Sequence, residues 1–95
     1  MPAWREGVSV TIDPDEVLDY VWQWSSWLNG DTITGSTFSN EIGSLTLTSP
    51  SFTDSTATVF ISGGVVGGSY KVVNQITTSG GRTAERGIMV IVVSK

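Results

Sequence analysis

The sequence predicts an all-β domain, a single sandwich of about seven antiparallel strands, on three observations. Val and Ile number 19 against 4 Leu and 3 Ala, so residues that fit a pleated sheet far outnumber good helix formers. Strand-like runs with period-two alternation recur roughly every ten residues. Between them stand turn signals drawn from 13 Ser, 12 Thr and 11 Gly, dispersed as turn chemistry with no low-complexity tract. At 95 residues the chain makes one domain with one modest core. There is no internal repeat and no linker.

The opening stretch 1–7 contains Pro2, Trp4 and Gly7 without a strand period. It reads as an N-terminal arm ahead of a sandwich domain over 8–95. Val8–Ile12 is the first strand, with Val8, Val10 and Ile12 on one face. Asp13-Pro14-Asp15-Glu16 breaks it, because Pro cannot donate to a ladder and Asp favours turns. Val17–Trp24 is the second strand, with Leu18, Tyr20, Trp22 and Trp24 facing inward. Ser25–Leu28 suits a helical turn and Asn29-Gly30-Asp31 a tight turn. Thr32–Phe38 is a short third strand, and Ser39–Ser44 reads as a loop. Leu45–Thr48 resumes until Pro50 bends or ends it. Thr56–Ser62 sets Ala57, Val59 and Ile61 against Thr58 and Phe60. After the glycine-rich loop Gly63–Gly68, Ser69–Thr77 puts Tyr70, Val72, Asn74 and Ile76 on one face. Ser79-Gly80-Gly81 turns into the last strand, Thr83–Val93.

Seven such strands fit an immunoglobulin-like or fibronectin-like sandwich. The aromatic-rich early strand supplies core aromatics, and Tyr70 opens the penultimate strand where these folds often place a corner tyrosine. With no Cys, no inter-sheet disulfide exists and packing alone must hold the core.

Composition closes several functional classes. The absence of Cys and His removes thiolate nucleophiles, imidazole metal sites and a Ser-His-Asp triad. Five Lys and Arg against nine acids, a net charge of −4, argue against a nucleic-acid partner. The longest apolar run, Ile88–Val93, is too short to span a membrane, and Met1–Ile12 has no signal-peptide core. Asp13, Asp15 and Glu16 could cluster around calcium, but they lack the Gly and distal Glu of a calcium loop, so a solvated turn is preferred. Gly63–Gly68 is followed by a strand and not by a helix start, unlike a phosphate cradle. No Ser-x-x-Lys or Gly-x-Ser-x-Gly is present for nucleophilic catalysis. No enzyme, cofactor or metal is expected. Arg82 and Arg86, near the start of the last strand, read as partners for internal salt bridges with acids such as Asp19 and Asp31.

The ordered series Asp13-Pro14-Asp15-Glu16-Val17-Leu18-Asp19-Tyr20, then Trp24-Ser25-x-Trp27-Leu28-x-Gly30-Asp31-Thr32-Ile33, resembles the fibre-to-tail adaptors of tailed bacteriophages, small Ig-like virion proteins. The resemblance continues through Leu45-Thr46, Ser51-Phe52-Thr53, Val59-x-Ile61-Ser62-Gly63-Gly64 and Gly68-x-Tyr70-x-Val72-x-Asn74-x-Ile76-Thr77-Thr78. It closes with Gly80-Gly81-Arg82-Thr83 and Arg86-x-Ile88. Phe60 departs from it, standing where relatives would carry Trp. The resemblance implies a non-enzymatic structural virion protein, an adaptor joining tail fibres to the tail or neck. Its implied partners are other tail, neck and fibre proteins in a multi-copy assembly, put together in the host cytoplasm. No catalytic residue carries over. The alternatives are a head–tail connector or capsid decoration protein and, from another class, a carbohydrate- or surface-binding Ig-like module.

Six residues stand out as candidate interface positions: Trp4, Trp27, Phe60, Met89, Ile91 and Val93. Trp4 sits in the arm, a place for docking onto a neighbour. Trp27 follows its strand, either as a lid on the core or as an exposed anchor. In the last strand Ile88, Val90 and Val92 fill the core, which turns Met89, Ile91 and Val93 outward, and Phe60 alternates with inward residues of its own strand. An apolar outer face is covered by a loop of the same domain or by a partner.

Overall fold

A computed structural model describes residues 9–95. The expected arm 1–7 with Trp4, and Val8, lie outside the described residues. Seven strands and one short helix follow in order: β1 (Ser9–Ile12), β2 (Val17–Gln23), α1 (Ser25–Leu28), β3 (Ile33–Ile42), β4 (Thr46–Phe52), β5 (Thr56–Ser62), β6 (Ser69–Thr78) and β7 (Thr83–Val92). They form an immunoglobulin-like sandwich of a four-stranded sheet, β1-β7-β6-β3, and a three-stranded sheet, β2-β5-β4.

The alternation of small polar and branched apolar residues decides which side of each strand is buried. Ala57, Val59 and Ile61 of β5, Val72 and Ile76 of β6, and Ile88, Val90 and Val92 of β7 are all buried, as are Ile12, Trp22 and Trp24. Trp22 meets Phe38 edge-on at 5.2 Å, and its indole N–H donates to the Arg86 carbonyl at 3.1 Å. One polar side chain lies at the centre of this core. Asn74, fully buried, accepts the Trp24 indole N–H at 2.9 Å. Its amide donates to Ser36 Oγ at 2.9 Å and to the Thr37 carbonyl at 3.1 Å, which ties β6 to β3 and to the residue that follows β2. Among the described residues no buried side-chain polar atom is left without a partner.

Two expectations need correction. The strands are not all antiparallel: β1 runs parallel to β7, from Ser9 opposite Met89 to Ile12 opposite Val92. The Asp13–Glu16 turn carries the chain from one sheet to the other, so no hairpin dictates the direction of β1. The third strand does not end at Phe38. Ser39, Asn40 and Ile42 pair with Val73, Val72 and Lys71 across an irregularity between Asn40 and Ile42, while the Asn40 amide caps both backbone groups of Leu45. Ladder pairing thus overrides the polar look of Ser39-Asn40-Glu41. Of the two outcomes read for Pro50, to bend or to end its strand, the strand continues through it. Pro50 lies in the edge strand β4, at a register shift between Thr48 and Ser51 with Ser49 at positive φ, where a missing N–H is tolerated.

The two ends of the sandwich differ in kind. One carries the β2–β3 connection with α1, the β4–β5 turn and the β6–β7 turn. The other carries the β1–β2 turn, the β3–β4 connection, the glycine-rich β5–β6 loop and the residues after β7.

Candidate functional site

At the helix end, the Asn29-Gly30-Asp31 turn delivers one carboxylate between two loops. Asp31 Oδ1 accepts the Thr32 amide at 2.8 Å, Ser79 Oγ at 2.8 Å and the Gly80 amide at 3.0 Å. Asp31 Oδ2 pairs with Arg82 Nε at 3.1 Å. Hydroxyl hydrogen bonds from Thr78 and Ser79, then the Thr32 amide and Arg82, hold the carboxyl well below the usual carboxylate range against its partial desolvation. The internal salt bridge read from the sequence is therefore Arg82 with Asp31. Arg82 also donates to the Leu28 carbonyl at 2.7 Å and lies 4.2 Å over the Trp27 ring. Trp27 meets Trp24 edge-on at 5.4 Å, and Arg86 covers the Trp24 ring at 4.8 Å. Trp27 is thus a partly buried lid packed on the core under a guanidinium.

At the opposite end the acidic turn is occupied by its own chain. Asp13 Oδ1 accepts the Asp15 amide and Asp13 Oδ2 the Lys95 amide, at 2.9 and 2.8 Å. Glu16 Oε1 accepts the Asp13 amide at 2.8 Å and pairs with Lys95 Nζ at 2.8 Å. Those hydrogen bonds lower both carboxyl pKa values and raise that of Lys95. The turn reading holds, and among the described residues no group of three potential ligands could hold a metal.

The outward residues of the sequence reading fall on different surfaces. Met89 and Ile91 lie on the outer face of the four-stranded sheet, beside Lys71 and Ser69 of β6 and Ser9 and Thr11 of β1, and are half-buried. Val73, on the same face, is buried. Val93 is half-buried beyond the strand end, its amide bonded to the Ile12 carbonyl. Phe60, 37% exposed, stands between Asp19 and Thr48 on the outer face of the other sheet. Phe60 therefore forms no common patch with Met89 and Ile91. A shallow depression of about 170 Å³ on the four-stranded face is lined by Glu41, Lys71, Val73, Glu85, Arg86 and Gly87. It is smaller than ordinary small-molecule sites. An aromatic row for stacking sugars is missing among the described residues, because Trp22 and Trp24 are buried and Tyr20, Trp27 and Tyr70 pack against the core.

The glycine-rich loop holds a feature that the sequence reading passed over as turn chemistry. Val65 is 70% and Val66 54% exposed. The loop beneath them is fixed: the Val65 amide donates to Tyr70 Oη at 3.0 Å, the corner-tyrosine arrangement. The Gly68 amide closes a turn onto the Val65 carbonyl at 2.8 Å, and Gly67 and Gly68 exchange backbone hydrogen bonds with Val92. Gly64, at φ +88, has no room for a side chain: a Cβ would come within 2.6 Å of Val92 and 2.9 Å of Leu45. The signal in the sequence was an apolar pair framed by glycines on both sides.

Among the described residues no helix is long and apolar enough to cross a membrane. A family model described as podophage GP4 fiber-tail adaptor protein gp77 matches residues 13–91, from the β1–β2 turn to the next-to-last residue of β7. No curated protein matches the chain. The chain is similar to the solution structure of the PKD domain from KIAA 1837 protein, with a TM-score of 0.57 and 16% identity, over 99% of this chain and 86% of that one. At that identity the likeness speaks to the fold alone.

Proposed function

The chain belongs to the podophage GP4 fiber-tail adaptor protein family, and on that premise we propose that it is a multi-copy joint of the virion tail, assembled in the host cytoplasm, with separate surfaces for the fibre and for the tail. The family match, which spans most of both sheets, carries this reading. The structure's chemistry supports it. The strongly perturbed carboxylate, Asp31, is used in joining its own loops, and a joint needs shape and stiffness where an enzyme needs a poised group. A core held without cysteine keeps its shape in a reducing compartment.

The test is the intact particle. Mass spectrometry of purified virions should find the chain in several copies, and electron density should place it where fibres meet the tail. Density on the capsid shell would favour a decoration protein instead. Selective binding of the isolated domain on a glycan array would favour the surface-binding alternative.

A further inference from the structure

We infer that the β5–β6 loop is a preformed apolar docking tip, whose Val65 and Val66 seat in a shallow apolar pocket, rimmed by Lys or Arg, on a tail or fibre protein. This deepens the adaptor reading and rests on it. Of the large hydrophobic residues that are exposed among those described, Val17 (61%), Ile42 (48%), Val65 (70%) and Val66 (54%) belong to the same end of the sandwich, while Phe52 and Phe60 lie elsewhere. Single exposed apolar side chains are ordinary on a surface; Val65 and Val66 are neighbours in one loop and stand exposed together, as an interaction site does.

The tip is also built to be stiff. Its backbone is tied to Tyr70, to Val92 and across its own turn, and Gly64 is packed against Val92 and Leu45. A loop already held in one shape loses little conformational freedom on docking, which favours affinity.

Charge selects the occupant. Asp13, Asp15 and Glu16 lie in the neighbouring β1–β2 turn, and Glu41 stands beside Ile42. Lys95 pairs with Glu16 and Lys71 with Glu41, so Asp13 and Asp15 leave the rim negative. The hydrogen bonds that Asp13 accepts come from the backbone amides of Asp15 and Lys95, which bring no charge of their own. A negative rim repels nucleic acid, an anionic membrane and the same end of a second copy, and attracts a protein surface with basic side chains around an apolar hollow.

The test uses the full chain and tail particles assembled without it. Wild type should bind these particles, and Val65→Ser/Val66→Ser should bind on the order of 10–100-fold more weakly while its circular dichroism and melting temperature stay unchanged. Should serine disturb the turn, the near-isosteric Val65→Thr/Val66→Thr pair gives the same readout. Asp15→Lys should weaken binding several-fold and flatten its dependence on salt. Wild type that ignores the particles overturns the adaptor reading and this inference with it. Wild type that binds while both valine pairs bind equally well overturns the inference alone. Sedimentation of the wild type with phosphatidylcholine–phosphatidylglycerol vesicles, or a wild-type oligomer that the valine variants reduce to monomer, would assign the tip to a membrane or to a second copy and overturn it too.

Discussion

Replacing Asn74 by Leu keeps the branched shape and heavy-atom count of the side chain at the centre of the core and removes its hydrogen bonds. Trp24, 1% exposed, would then hold an indole N–H with no acceptor and no route to water. Ser36 and the Thr37 carbonyl would lose partners as well, though both lie closer to solvent. A stranded buried polar group costs about 1–3 kcal/mol, so one full loss and two partial ones sum to about 2–4 kcal/mol. For a domain whose total stability is about 5–10 kcal/mol, and in which each kcal/mol moves the midpoint by about 4–8 °C, the melting temperature should fall by about 8–32 °C. Calorimetry or thermal circular dichroism measures this directly. The mechanism is isolated by a cycle with Trp24→Phe, which deletes the donor. The double variant should be more stable than the sum of the single changes by about 1–2 kcal/mol. A melting point within a few degrees of wild type for Asn74→Leu, or strict additivity in the cycle, would refute the claim that this polar bridge holds the sheets in register.

Trp22→Ala should destabilise by about 3–5 kcal/mol, because a large void would open at a fully buried position, and urea titration should show a midpoint near the edge of folding. Asp31→Asn tests the loop anchor through pH. A carboxyl whose folded pKa is depressed stabilises above its unfolded value of about 4 and stops doing so as pH falls through the folded one. The gap in melting temperature between wild type and Asp31→Asn should thus be constant from pH 7 to 5 and shrink below pH 4; a gap that widens with acid would contradict this. Gly64→Ala combines a positive φ with a clash against Val92 and Leu45, and should cost about 1–3 kcal/mol by chemical denaturation, more than alanine at the unobstructed Gly67.

Much of this fold is legible in the sequence because alternation is a local signal. Thr56–Ser62 has the same bounds in both readings, since Ala57, Val59 and Ile61 alternate with polar neighbours and Phe60 without interruption. The family resemblance traced from Asp13 onward is borne out over 13–91. What failed was non-local. Nothing within Ser9–Ile12 says that its partner is β7 or that it runs parallel. Nothing in Ser39-Asn40-Glu41 reveals a waiting ladder on β6, or in Pro50 that its strand lies at an edge. Arg82 and Asp31 were both noticed, but their pairing depends on two turns meeting in space. Met89, Ile91 and Phe60 each face outward as their parity requires, yet parity within a strand cannot say that they belong to opposite sheets.

The position of β7 between β1 and β6 also governs when the domain can form. Its neighbours in the sheet include the first described strand, and Ile88, Val90 and Val92 complete the packing between layers. Until β7 has left the ribosome, β1 has no partner and the nascent chain shows water one side of an unfinished core. Closing so long a loop is slow and pairs distant segments, which places folding on the millisecond-to-second scale after synthesis. Over that interval the unfinished sheet edges are exposed to every neighbouring chain on the polysome, and the short, bulged, proline-bearing edge of β4 is the part of the design that resists mispairing there.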